Sequence, residues 1–347
     1  MAAILFDVVQ RISRATPKSL GITLESFDRT SHYAAMALLV STLGYSQVLQ
    51  TAPPPGGVRL ESGVQNGTEP ATDVNGNERL FAFYIAQPFY DRSDLHFIRS
   101  DDTDIVFKQM GWDGDALVPP IDGGVRVVKW RQNFGFMIDF IHNKAVSRLG
   151  KGAHGRKLSN PIIETVESSG RISGMPAPSQ IKLTDFFQRF EFTHGHNVLL
   201  ATPLLRLAEI VKGVRPYIGV GAGVALPHVE VWHPGQDPKT RTNEYQYAGP
   251  AWQFVAGVEC RIGRYSYFLE YKYTYAWIHG ALTGTKSWKN FNMPGDLLRQ
   301  FQRWLWGQKP INGHFETELG AHQIVAGGGF WWPRPVAPSP QHALSRP

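Results

Sequence analysis

The sequence predicts an all-β fold: an eight-stranded antiparallel transmembrane β-barrel with short periplasmic turns and long extracellular loops. Three observations predict it. Apolar and polar residues alternate with period two along most of the chain after residue 79. The links between the alternating stretches are tight and long by turns. No apolar run reaches the roughly 18 residues that a spanning helix needs, although 12% of the 347 residues are aromatic and only 18% are charged. A barrel reconciles few charges with a mean hydropathy of −0.23, because its strands alternate lipid-facing and lumen-facing residues and never build a long apolar block.

The elements follow in order. Within residues 1–50, Ala34 to Tyr45 form a short apolar stretch that reads as the core of a signal peptide or as a single apolar helix. Residues 51–78 are rich in Pro, Gly, Asn and Thr and read as a linker. The barrel occupies 79–333, and a Pro-rich tail fills 334–347. Its clearest strand is Tyr265 to Trp277. There Tyr267, Leu269, Tyr271, Tyr273, Tyr275 and Trp277 share one face, and Glu270 and Lys272 share the other. Trp252 to Ile262 repeats the pattern. Six further segments complete the wall: Leu80–Tyr90, Ile121–Trp130, Phe134–Asn143, Phe190–Arg206, Arg215–Val229 and Ala321–Trp332. Gly219, Gly221 and Gly223 on one face of the fifth predict a crowded lumen. The tight links Trp130–Phe134, Leu207–Val214 and Arg261–Tyr265 belong at the periplasmic end, and the long ones outside.

Charge narrows the partners. The net charge is +6, and a basic protein favours nucleic acid, anionic membranes or acidic substrates. The sequence carries no nucleic-acid motif. The expected partner is therefore the anionic outer leaflet of a bacterial outer membrane, built of lipopolysaccharide and its lipid A, with the chain as a multi-pass monomer. Cys260 is the single cysteine, so no internal disulfide forms.

The topology gathers histidines. His142, His194, His196, His228 and His322 come from four strands yet fall at one end, near similar depth, with Glu230 and Gln323 beside them. Strand parity sets His142, His228 and His322 with the lipid-facing residues unless a bulge intervenes. Histidine serves metal ligation and proton transfer near neutral pH, or simply an amphipathic place at a water boundary. Arg126, Asp139, Glu259, Arg261, Glu270 and Lys272 face the lumen, where charges must pair, as an ion-pair network that plugs the barrel or as a proton path. Between the last two strands, Leu297, Leu298, Phe301, Trp304 and Leu305 have helical spacing, with Asp296 placed as an N-cap. That helix lies in a membrane interface or caps the barrel.

Several runs together resemble the lipid A oxidase family of outer-membrane barrels. They are NFGFMIDFIHNK (Asn133 to Lys144), FEFTHGHNVLL (Phe190 to Leu200), RPYIGVGAGVALPHVEV (Arg215 to Val231), YAGPAWQFVAGVE (Tyr247 to Glu259) and AHQIVAGGG (Ala321 to Gly329). The resemblance implies oxidation of the reducing-end glucosamine of lipid A to aminogluconate, with molecular oxygen as co-substrate and hydrogen peroxide released. The sequence holds no nucleotide-binding Gly-rich turn, so a divalent metal ion is the expected cofactor. On that chemistry His194, His196, His228, Glu230 and His322 are the candidate catalytic residues. His194, His228 and His322 are the candidate metal ligands, and His142, Lys144, Asn197 and Gln323 the candidate substrate contacts. The other reading is a non-catalytic structural or adhesive barrel.

Overall fold

The computed structural model describes residues 77–285 and 292–332. The expected leader segment, nearly all of the linker and the Pro-rich tail lie outside the described residues. Eight strands close into a wall. In chain order they are β1 (Asn77–Tyr90), β2 (Gly123–Arg131), β3 (Phe134–Ser147), β4 (Arg189–Arg206), β5 (Val214–Ala225), β6 (Gly249–Ile262), β7 (Tyr265–Ala281) and β8 (Gly313–Trp331). Each pairs antiparallel with the next, and β1 pairs with β8 from Leu80↔Trp331 to Tyr90↔Ala321, which closes the ring. The tight links β2–β3, β4–β5 and β6–β7 fall at one end, as the alternation of link lengths predicts.

The wall has two chemically distinct faces. Phe83, Phe136, Ile138, Val220, Tyr267, Tyr271 and Trp277 point outward and are exposed. Asp139, Gln253, Glu259, Glu270 and Lys272 point inward and are buried. An apolar exterior around a polar interior is the polarity of a membrane-spanning barrel, and the chain is a bacterial outer-membrane β-barrel. The described residues include no helix long and apolar enough to cross a membrane.

The lumen is solid. Arg126 pairs with Glu270 at 2.6 Å, and Lys272 pairs with Asp139 at 2.5 Å. Arg206 bridges Glu78 at 3.0 Å and Glu259 at 3.1 Å, and Arg261 reaches Glu78 at 3.2 Å. Aromatic rings cover the cations: Arg126 lies 3.7 Å from the centre of Phe268, and Arg206 lies 4.1 Å from that of Trp130. Glycine leaves the necessary room, since a side chain at Gly221 would run into Thr202.

Above the membrane the wall departs from the expected picture of loops. β8 begins at Gly313, well before Ala321, and its first residues pair with a rim strand, Ser93–Arg99. Thr103–Met110 and Thr165–Ile172 extend that sheet. Their inner faces bury Phe97, Phe107, Phe186, Phe187, Phe190 and Phe315 in one core, with Phe97 and Phe187 5.3 Å apart between ring centres. The rim is thus a small packed structure, because strands long enough to leave the bilayer still need their apolar faces covered. The strand expected over Arg215–Val229 also divides. β5 ends at Ala225, and His228–Trp232 turns across the rim to pair with Arg189–Glu191 of β4 and with Thr242–Tyr245. Pro227 explains the break, since it has no N–H to give to a ladder.

Candidate functional site

The site begins with an irregularity in β4. Phe192 pairs with Ala145 and His196 pairs with Asn143, so β4 takes four steps where β3 takes two. Gly195 sits in this bulge at φ +113°, where a side chain would strike Asn197. Phe192 and His196 stay inside, near Trp112 and Tyr90 respectively. Glu191 and Asn197 turn outward, and so does His194. From Arg189 to Val198 nearly every residue is buried on both faces, whereas from Leu199 the lipid-facing alternation begins. The bulge therefore stands above the bilayer, on the outer side of the wall, under a roof of rim loops.

Under that roof several imidazoles meet. The ring centres of His194 and His228 are 4.5 Å apart, those of His154 and His194 are 4.6 Å apart, and Tyr245 lies 4.7 Å beyond His228. His142 joins through Asn197, whose Oδ1 lies 2.8 Å from its Nδ1, and the Asn197 amide donates in turn to the His194 carbonyl. His154 adopts a left-handed backbone at φ 57°, which histidine tolerates better than most residues. His154, His194, Arg189, Glu230 and Arg241 line an open cleft of about 560 Å³.

Electrostatics set the protonation of this group. Burial pushes the His228 imidazole down to about 3 and His194 down to about 4, with neighbouring imidazoles adding to the effect, and burial, against the opposing Glu230 charge, lowers His154. All three are therefore neutral at neutral pH. Across the strand pair, Glu191 faces Glu230. Burial, then the adjacent Glu230 charge, raises Glu191 to about 8, which keeps its proton. Glu230 is held by Arg189 at 2.9 Å and by Arg241 at 3.3 Å.

The expected site residues separate into three places. His142, His194, Asn197, His228 and Glu230 come together. Lys144 stands near them but is fully buried against Asp122 and the Pro120 carbonyl, so it presents no cation to a ligand. His196 lies inside the rim, 3.3 Å from the Tyr90 hydroxyl. Gln323 points into the lumen and donates to Thr274 at 2.9 Å. His322 points outward on β8, 2.6 Å from the Tyr271 hydroxyl and 3.4 Å from Asp91. β8 and β4 are four steps apart round an eight-strand ring, so His322 stands on the opposite side of the wall from His194. Sequence reasoning missed His154, Glu191, Arg189, Arg241 and Tyr245. The register of Glu191 against Glu230 was visible only once β5 was seen to break at Pro227.

The cleft holds imidazole donors of the kind a divalent metal takes, although among the described residues only His279, His314 and Glu316 bring three ligand atoms within 4.8 Å of one another. Both ring nitrogens of His228 are buried without a hydrogen-bond partner among the described residues, as is Nε2 of His142. Neutral imidazole is the ligating form. His194 and His228, with His154 as the third donor in place of the distant His322, are the residues that would hold the ion.

The helix expected in the last loop is α1 (Met293–Leu305). Asp296 is not its N-cap. Asn292 takes that position, and the buried Asp296 carboxylate accepts the Tyr245 N–H at 2.9 Å. Arg303 pairs with Glu244 at 3.1 Å, and Gln300 clasps the Tyr247 backbone. The polar face of α1 is thus its attachment. Its apolar face, with Leu298, Phe301 and Trp304, is exposed.

No family model matches the chain, and no curated protein does. Among solved structures it is similar to Ail, the attachment invasion locus protein of Yersinia pestis, solved with the heparin analogue sucrose octasulfate. Identity is 10%, with 74% of this chain and 99% of that one covered and a TM-score of 0.28. It is also similar to Neisserial surface protein A, at 8% identity, 72% and 94% coverage and a TM-score of 0.27. Both are outer-membrane β-barrel proteins.

Proposed function

We propose that this protein is an outer-membrane lipid A oxidase that converts the reducing-end glucosamine of lipid A to aminogluconate with molecular oxygen. One observation carries the reading: the cleft is lined by Arg189 and His194 of β4, just above Leu199, where the lipid-facing alternation of that strand begins, so that a headgroup can meet it without its acyl chains leaving the bilayer. The exposed apolar face of α1 supports the same reading, since a helix with outward Trp and Leu and basic flanks rests on a membrane interface.

In the reaction the anomeric C–H and O–H bonds break, two electrons and two protons pass to oxygen, and lactone and hydrogen peroxide form. Water then opens the lactone to the acid. A divalent metal, when bound, would supply Lewis-acid polarisation of the anomeric oxygen. The chain's own part is positional and protolytic. Arg189 and Arg241 line the cleft and orient anionic or hydroxyl groups of the headgroup. Glu230 is clamped by two guanidiniums and is the poorer base. A neutral imidazole that lines the cleft is the better acceptor for the anomeric proton. The rim loops over the bulge bury His228, while His154 and His194 face the open cleft.

Mass spectrometry of lipid A from cells with and without the protein tests this. The expected product gains one oxygen atom at the reducing end, and His194→Ala and His228→Ala each abolish it while the barrel remains heat-modifiable on gels. Unchanged lipid A in cells making folded wild-type protein refutes the proposal and leaves a structural or adhesive barrel.

A further inference from the structure

On the far side of the wall a second constellation stands on regular, hydrogen-bonded strands. β7 places His279 directly opposite Glu316 of β8, and His314 lies two residues from Glu316 on the same face. From the other side the rim strand Ser93–Arg99 places His96 opposite Glu316 as well. Residues directly opposite in an antiparallel pair hold their Cβ atoms about 4.5–5.5 Å apart and project to the same side. Glu316 is therefore flanked by imidazoles from both neighbouring strands, with a third imidazole along its own.

The distances match the register. Nδ1 of His279 lies 3.1 Å from Oε1 of Glu316, and Nε2 of His314 lies 4.0 Å from the same oxygen. The rings of His279 and His314 stack 4.8 Å apart. One ligand atom from each of His279, His314 and Glu316 lies within 4.8 Å of the other two. Donors on a tetrahedral ion with bonds of about 2.0–2.2 Å stand a little over 3 Å apart, so side-chain rotation alone closes the set. His279 and Glu316 are free to make it, at 59% and 53% exposed.

We propose that His279, His314 and Glu316 form a transition-metal site on the outer face of the rim, separate from the histidine cleft. His96 is placed as its fourth donor. Its Nε2 already bonds Asp104 at 2.9 Å, the carboxylate–histidine arrangement that orients ligating imidazoles. Two or three imidazoles with one carboxylate select zinc, copper or nickel over calcium or magnesium, which prefer all-oxygen shells. An ion here ties together β7, β8 and the rim strand. It lies one outward position above Trp277, the top of the aromatic column on β7, and so at the level of the lipid headgroups.

The test uses the full chain, folded in detergent and carrying no polyhistidine tag. Titration with zinc and with copper is followed by calorimetry and, for copper, by electron paramagnetic resonance. The background variant His194→Ala/His228→Ala removes any contribution from the cleft. In that background one equivalent of metal is expected to bind, with nitrogen hyperfine structure from at least two imidazoles. His279→Ala and His314→Ala should each weaken binding at least tenfold, and Glu316→Gln should weaken it too. These side chains are largely exposed, so heat-modifiability should be unchanged. Absence of saturable binding overturns the proposal, as does binding that survives the His279→Ala/His314→Ala pair or a copper signal without imidazole nitrogen.

Discussion

Replacing Arg126 by methionine removes one member of a fully buried ion pair in the lumen. The guanidinium donates to Glu270 at 2.6 Å and lies against Phe268 at 3.7 Å. Without it, the Glu270 carboxylate keeps the Tyr217 hydroxyl and a distant Lys272 at 4.0 Å. Stranding one partner of a buried pair typically costs about 3–5 kcal/mol. The lost cation–π contact adds about 0.5–2 kcal/mol, and the remaining Tyr217 bond offsets part of the total. The last two effects roughly cancel, so the expected loss for Arg126→Met is about 3–5 kcal/mol. Adding Glu270→Gln removes the stranded charge, so the double variant should recover about 1–3 kcal/mol, the usual coupling of contacting residues. Equilibrium urea unfolding in lipid vesicles, followed by tryptophan fluorescence, measures all four corners of the cycle. A single-variant cost below about 1 kcal/mol, or strictly additive losses, would refute the view that paired charges hold the lumen together.

Two further outcomes follow from the rim. The folded state raises Glu191 to about 8, above its unfolded value near 4.5, so the folded rim binds the proton more tightly. Its contribution to stability is complete below about pH 4.5 and is lost as pH rises through about 8. Hydrogen exchange across Arg189–Val198 should quicken over that window in the wild type and much less in Glu191→Gln, and equal pH dependence in both would sink the assignment. Lipids brominated on the acyl chains near the headgroup should quench Trp304 and Trp306 in vesicles, compared in a background where each is replaced by Phe. Quenching that is the same in both proteins would show that α1 stands clear of the bilayer.

Much of the wall was legible because a closed barrel writes itself in period two. Glu270 and Lys272 opposite Tyr271 and Tyr273 admit one orientation only, and the tight links mark the periplasmic end without ambiguity. The rim was less legible. The rim strands alternate too, with Leu95 and Phe97 buried between partly exposed Asp94, His96 and Ile98, but each is short and falls inside a link whose length alone reads as loop. The site was half legible for a related reason. Depth along a strand can be counted from sequence, which placed His142, His194 and His228 at one level. Position round the ring cannot be judged by depth, which is how His322 entered the same set from the opposite side. His154 carries no strand signal at all, and Asp296 looked like a cap because its true partner, the Tyr245 N–H, lies on an element that only the folded rim creates.

The packed, ion-paired interior has a consequence for traffic. A barrel filled from wall to wall by arginine, carboxylate and ring is a bolt through the membrane and not a pipe. Nothing made in the periplasm reaches the histidine cleft by that route: no reductant, no carried cofactor, no metabolic signal. Whatever reacts there arrives along the leaflet or from the surrounding medium, and whatever is released departs the same way. Were the proposed oxidation to run here, its peroxide would be released on the outer side of the wall, with the filled lumen between it and the periplasm.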